Sequence, residues 1–175
     1  LRGSGKSTLG PPLAERLRCV FFDLDDFTAR RLHSVTAAQA WHRHGEPAFR
    51  AAEAAELSTL LEAENNTSGA RVIALGGGTP TAPGTADQIR AAVAKGRVHV
   101  LYLRATPAQL TERLRTTTLT DRPTLTGRGT LEEITEIFEK RDPLYAQLAT
   151  HTLDLPSGDT EPASVLNELL RLFSD

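Results

Sequence analysis

The sequence predicts a three-layer α/β/α domain built around a parallel sheet, and three observations predict it. Short apolar runs alternate along the chain with longer stretches of helical period, the pattern of strands joined by crossover helices. A glycine-rich run ending in Lys6-Ser-Thr8 leads directly into one of the helical stretches. Acidic residues follow one apolar run and three glycines follow another, at the strand ends where α/β proteins bind ligands.

Taken in order, the spacing predicts strands over 20–23, 71–75, 97–103 and 151–155. It predicts helices over 7–18, 36–44, 47–64, 86–94, 107–114, 131–149 and 163–173. Pro47 and Pro107 suit first-turn positions, and Gly96 suits a helix stop ahead of a strand. Leu57, Leu60 and Leu61 share a face with Phe49 and form a core stripe. Pro11 and Pro12 fall inside the first helix, where each costs about 3 kcal/mol in an ordinary helix interior. Residues 116–129 are polar and rich in Thr, Gly and Arg, the composition and length of a lid.

Composition bounds the function classes. A chain of 175 residues fits one domain, here 1–175, with a sizeable core. With 20 basic and 22 acidic residues the net charge is -2, so no overall field attracts nucleic acid. Any anion site must come from local placement of Lys and Arg. The single cysteine, Cys19, allows no internal disulfide or multi-cysteine metal site, and a cytoplasmic monomer is expected. No apolar run approaches the roughly 18 residues of a membrane span, so no membrane partner is expected.

Leu1-Arg-Gly-Ser-Gly-Lys-Ser-Thr8 reads as the back of a phosphate-binding loop, G-x-x-x-x-G-K-[ST]. Its glycines let backbone N–H groups turn inward around phosphate oxygens, and the following helix adds its positive end. Gly3, Ser4, Gly5, Lys6, Ser7 and Thr8 are therefore the candidate ATP-binding residues. Lys6 is expected to reach the β- and γ-phosphates, with the Ser7 hydroxyl on Mg²⁺. The motif's first glycine and the strand before it would precede Leu1, so the chain reads as a fragment of the domain. Loss of that buried strand is expected to leave residues 1–175 poorly folded or inactive.

Phe21-Phe22-Asp23-Leu24-Asp25 places carboxylates at the end of an apolar strand. If the strand continues, Asp23 and Asp25 point to the same side. One would hold Mg²⁺ through water while the other accepts a hydrogen bond from an attacking hydroxyl; a solvated turn or helix cap is the plainer alternative. Arg50 has Glu53 three positions along to orient it, and Arg141 precedes Asp142 and Pro143. Taken alone, each reads as a surface arginine. Arg122 falls in the presumed lid, and Gly76-Gly-Gly78 lets the backbone approach a ligand closely or simply makes a tight turn. His42 and His44, two apart, do not share a helix face and read as solvated rather than as a zinc pair.

The ordered set resembles the shikimate kinase family. It runs from Gly3-Ser-Gly-Lys-Ser-Thr8 through Asp23-Leu-Asp25, Gly45-Glu46, Phe49-Arg50, Glu53, Gly76-Gly-Gly78 and Arg122-Pro123 to Arg141 and Tyr145. The resemblance implies the P-loop kinase fold and transfer of the ATP γ-phosphate to the 3-hydroxyl of shikimate. It further implies that Asp25 holds the reacting hydroxyl, that Arg50 and Arg141 clamp the carboxylate, and that Gly77 contributes backbone. Lys6, Asp25 and Arg122 would form the catalytic set. Glu53 would brace Arg50, Asp23 would support Mg²⁺ beside Ser7, Arg122 would contact ATP phosphates, and Arg115 would pack against adenine.

The rival readings are another small-metabolite kinase, such as a gluconate kinase, and a non-catalytic sensor domain of the same shape. The Asp-x-Asp pair followed by residues 45–53 favours shikimate over gluconate, and the presence of Lys6, Asp25 and Arg122 favours catalysis.

Overall fold

The computed structural model describes residues 1–62, 69–116, 133–156 and 161–173. Its elements run α1 (Lys6–Arg16), β1 (Val20–Asp23), α2 (Leu24–Arg31), α3 (Ala37–Glu62), β2 (Arg71–Ala74), α4 (Thr85–Ala94), β3 (Leu101–Arg104), α5 (Pro107–Thr116), α6 (Ile134–Leu148), β4 (His151–Asp154) and α7 (Pro162–Arg171). A 3-10 turn, Thr79–Thr81, follows β2.

Every strand pairing is parallel, as expected of crossover connections. β1 pairs with β2, Val20 opposite Arg71 through Asp23 opposite Ala74. β3 pairs with β4, Leu101 opposite His151 through Arg104 opposite Asp154. Among the described residues these are two pairs rather than one continuous sheet. Two apolar clusters flank them. One joins α1, β3, α5, α6, β4 and α7 through Leu9, Leu13, Tyr102, Leu110, Tyr145, Leu153 and Leu169. The other joins α2, α3 and α4 through Leu24, Leu57, Leu61 and Ile89, with Leu148 of α6 reaching it. α6 therefore contributes to both, and Leu144 touches each.

Two expectations are corrected and one is borne out. The strand at 20–23 does not continue: Asp23 turns its side chain onto the backbone N–H of Asp25 (3.1 Å) and caps α2, a helix the spacing did not predict. Asp25 and Asp26 lie in its first turn and Arg30 and Arg31 in its last, matching the helix dipole. The two helices expected at 36–44 and 47–64 are both present within α3, separated by a kink at Gly45, whose φ of 79° suits glycine. The strand expected over 97–103 begins at Leu101; just ahead of it Val100 bonds to Thr150 and to His151, the first residue of β4.

α1 continues through Pro11 and Pro12. The two missing N–H groups would have met the carbonyls of Ser7 and Thr8, and both of those residues are exposed, so water can serve them. On its other side α1 packs so closely on β1 that a side chain at Gly10 would run into the Phe21 ring.

Candidate active site

The C-terminal ends of the strands carry the polar chemistry: Asp23 ends β1, the glycine loop 76–78 follows β2, and Arg104 ends β3. The phosphate loop lies beside them. Gly3 and Gly5 adopt φ of 74° and 85°, the left-handed region that turns backbone N–H groups inward. Gly5 starts α1, its carbonyl accepting from the N–H groups of Thr8 (3.1 Å) and Leu9 (2.8 Å). Ser4 Oγ donates to the Leu1 carbonyl at 2.9 Å, and Lys6 Nζ donates to the same carbonyl at 2.7 Å and to Ser4 Oγ at 3.2 Å. The ammonium thus sits folded over the loop it would serve. Ser7 Oγ donates to Asp23 Oδ2 at 3.4 Å, which joins the start of α1 to the end of β1.

Asp25 stands in the first turn of α2, partly buried. Burial, together with the Asp23 and Glu53 carboxylates, pushes its pKa up to about 6, while Lys6 and Arg50 pull the other way. It borders the glycine loop: a Cβ on Gly76 would lie 2.5 Å from Asp25 Oδ1, 2.6 Å from Glu53 Oε1 and 2.9 Å from Thr79 Oγ1. Only glycine lets the backbone pass there.

Arg50, on α3, is held on several sides. It pairs with Glu53, whose carboxylate is fully buried and accepts a second hydrogen bond from Thr79 Oγ1 at 2.7 Å. Glu46 lies 3.5 Å from its Nε. The Trp41 ring lies beneath its guanidinium at 5.0 Å, with Phe49 edge-on to that ring at 5.4 Å. A side chain at Gly78 would strike this guanidinium. From the other side of the loop, Arg141 Nη1 and Tyr145 Oη both donate to the Gly77 carbonyl, at 2.8 and 2.7 Å. Burial raises the Tyr145 phenol to about 12, so it stays a proton donor at neutral pH.

Asp25, Arg50 and Arg141 therefore all border one three-residue loop, and the Lys6–Ser7–Asp23 group sits at its side. Arg115, exposed at the end of α5 and 3.8 Å from Glu112, follows Leu114, the side chain nearest Gly3. Arg122 and, apart from Thr116 at the end of α5, the expected lid (116–129) lie outside the described residues. His42 and His44 are exposed.

Sequence reading missed Thr79 and the Trp41 platform. Thr79 directly follows the three glycines. Trp41 lies eight positions before Phe49, a helical repeat that the break at Gly45 obscures.

A family model described as shikimate kinase matches residues 2–173. The chain belongs to the shikimate kinase family. It is 36% identical to shikimate kinase 2 of Sodalis glossinidius over 171 residues, 97% of this chain and 90% of that protein. It is likewise 36% identical to shikimate kinase 2 of Escherichia fergusonii over 173 residues, 98% of this chain and 87% of the relative. Its backbone superposes on shikimate kinase from Acinetobacter baumannii, solved in complex with shikimate, with a TM-score of 0.80 at 28% identity, covering 98% of this chain and 87% of that one. Shikimate kinase from Aquifex aeolicus gives 0.71 at 28% identity, covering 97% and 90%. The architecture is accordingly that of the P-loop kinases, and membership in the family makes the chain an ATP-dependent phosphotransferase.

Proposed function

We propose that this chain transfers the γ-phosphate of ATP to the 3-hydroxyl of shikimate, giving 3-phosphoshikimate and ADP. The observation that carries the reading is the convergence of one carboxylate and two arginines on the glycine loop 76–78. Such a pocket suits a small ligand with a hydroxyl at one end and a carboxylate at the other. Arg50 and Arg141 take the carboxylate through planar, forked donors, which lysine reproduces poorly. Gly77 lines the ring with backbone.

At the other end Gly3, Ser4, Gly5 and Thr8 cradle the ATP phosphates, and Lys6 leaves the Leu1 carbonyl to reach the β- and γ-phosphates. Asp25 accepts the hydrogen bond of the 3-hydroxyl and takes its proton as the new O–P bond forms and the bond from the γ-phosphorus to the ADP oxygen breaks. Its raised pKa leaves it ionised at pH 7 yet basic enough for the task. Arg122 closes over the phosphates from the lid, and Arg115 packs against adenine. Alignment and charge neutralisation supply most of the rate.

The donor set of Ser7 and Asp23, a hydroxyl and a carboxylate 3.4 Å apart, fits Mg²⁺, which takes oxygen ligands, keeps several waters and uses few protein groups beside substrate phosphates. When bound there it supplies positive charge to the β- and γ-phosphate oxygens. Ser7 would hold it directly and Asp23 through water. No group of three or more His, Cys, Asp or Glu side chains suited to a metal occurs among the described residues, so a site completed by ATP is the better fit.

A cytoplasmic setting, supported by the single free Cys19, and a monomeric state remain part of the reading. Among the described residues no helix is long and apolar enough to cross a membrane. The test is ADP release by the purified full-length protein with shikimate, quinate and gluconate in parallel. Turnover with shikimate supports the reading. Turnover with gluconate alone, or nucleotide binding with no turnover on any acceptor, contradicts it.

A further inference from the structure

A second charged cluster lies one side chain away from the carboxylate clamp. Arg104, the last residue of β3, presents Nε to Asp142 Oδ1 at 2.9 Å and Nη2 to Asp142 Oδ2 at 2.8 Å. Tyr102, two residues earlier and on the same face of the strand, donates its hydroxyl to Asp142 Oδ1 at 2.9 Å. The Asp142 side chain is only 13% exposed, so three donors converge on a carboxylate largely removed from water. Asp154, at the end of β4, adds a looser contact to Arg104 at 3.9 Å.

Asp142 is the immediate chain neighbour of Arg141, and Pro143 follows it inside α6. Proline has no N–H to return to the Glu139 carbonyl, so the helical ladder is interrupted at the turn that carries both residues. The side-chain anchor lies where the backbone anchor is missing. The Tyr102 ring also stands edge-on to Tyr145, 5.7 Å between centroids at 87°, and Tyr145 shares the Gly77 carbonyl with Arg141.

This arrangement crosses the molecule. Among the described residues the β1–β2 and β3–β4 pairs share no strand hydrogen bond. Asp25 and Arg50 border the loop after β2, whereas Asp142 is fixed to β3. α6 spans the two, with Leu144 touching both apolar clusters. α6 thus links Arg141, bonded to the loop after β2, to β3 through Asp142.

We propose that Asp142, gripped by Arg104 and Tyr102, is a positioning residue that sets Arg141 against the substrate carboxylate. The inference rests on the functional reading above, in which Arg141 binds that carboxylate. A surface salt bridge at this site would be worth little and would touch neither substrate selectively. A positioning carboxylate acts through Arg141 alone.

The test is steady-state kinetics on the purified full chain as Asp142→Asn, Arg141→Lys and the double variant, with Tyr102→Phe as a milder probe that removes one hydroxyl. Asp142→Asn is expected to raise KM for shikimate about tenfold while KM for ATP moves less than about twofold. Placed on Arg141→Lys, the same change is expected to add less than about twofold, because its target is already lost. Tyr102→Phe is expected to shift KM for shikimate in the same direction by a smaller factor, and it keeps the proposal open to refutation should Asp142→Asn not fold. Equal shifts in both KM values, multiplicative effects in the double variant, or an unchanged KM for shikimate in a folded Asp142→Asn (in Tyr102→Phe, should Asp142→Asn not fold) overturns the proposal. If the wild type shows no shikimate-dependent turnover, or Arg141→Lys leaves KM for shikimate unchanged, the functional reading itself fails, and this inference fails with it.

Discussion

Replacing Asp25 by Asn should trade activity for stability, with a pH signature fixed by the carboxyl's surroundings. The group's folded pKa is raised from 3.8 to about 6, by burial first and by Asp23 and Glu53 after it. A carboxyl with a raised folded pKa favours the folded state only while protonated, that is below its unfolded value. The advantage is lost as pH rises from about 4 through about 6, and above that ionised Asp25 opposes folding relative to a neutral group. About two pKa units correspond to about 3 kcal/mol at pH 8, falling below about 1 kcal/mol at pH 4. The Asn side chain removes the titration while keeping the shape. The stability difference between variant and wild type should therefore grow by about 2 to 3 kcal/mol from pH 4 to pH 8 and level off above pH 7. Urea unfolding at a series of pH values measures this directly, and any constant effect of the amide cancels in the slope. A difference that stays flat across the series would refute the reasoning, because it would mean that Asp25 is not held among carboxylates away from water. The same variant should lose most of its turnover at every pH.

Activity carries a matching signature. The kcat/KM of the wild type for shikimate should fall as pH drops through about 6, where Asp25 takes up its proton; a limb near 4 instead would point to an ordinary exposed carboxylate. Arg50→Lys should raise KM for shikimate well above any change in KM for ATP, and equal effects on both substrates would count against its role in the clamp. Gly78→Ala should damage shikimate binding because its methyl group would strike the Arg50 guanidinium, whereas Gly69→Ala, with open space around it, should leave kinetics unchanged. Thr79→Val leaves the buried Glu53 one hydrogen bond short and should lower stability by about 1–3 kcal/mol in a thermal or urea melt.

Much of this fold could be read from the chain because its elements rest on local signals. The apolar runs ending at Asp23 and Ala74 became strands since nothing polar interrupts them, and Gly-Lys-Ser-Thr marked the phosphate loop through backbone requirements that few other residues meet. α2 was missed because alternation was carried past Asp23. The balance of Asp25 and Asp26 against Arg30 and Arg31 marked a helix, and Asp23 was its cap. Its recovery changes how the site works, since Asp25 is aimed by a helix turn rather than by strand pleating. The braces around the arginines were harder to foresee. Glu53 could be paired with Arg50 by spacing alone, but Thr79 lies 26 positions from Glu53 and Tyr102 lies 40 from Asp142. Only the crossover connections bring those pairs together, and the pattern of a single sequence does not encode them.

In the proposed reading, Asp25 opposite two arginines fixes which hydroxyl of the acceptor faces the γ-phosphate. Two-dimensional proton–phosphorus NMR of the product made from ATP and shikimate reports that position directly. A single phosphoester, its phosphorus coupled to the proton at ring carbon 3, is the predicted result. A mixture of positions, or a phosphate on another hydroxyl, would contradict the placement of the carboxylate clamp and of Asp25 together.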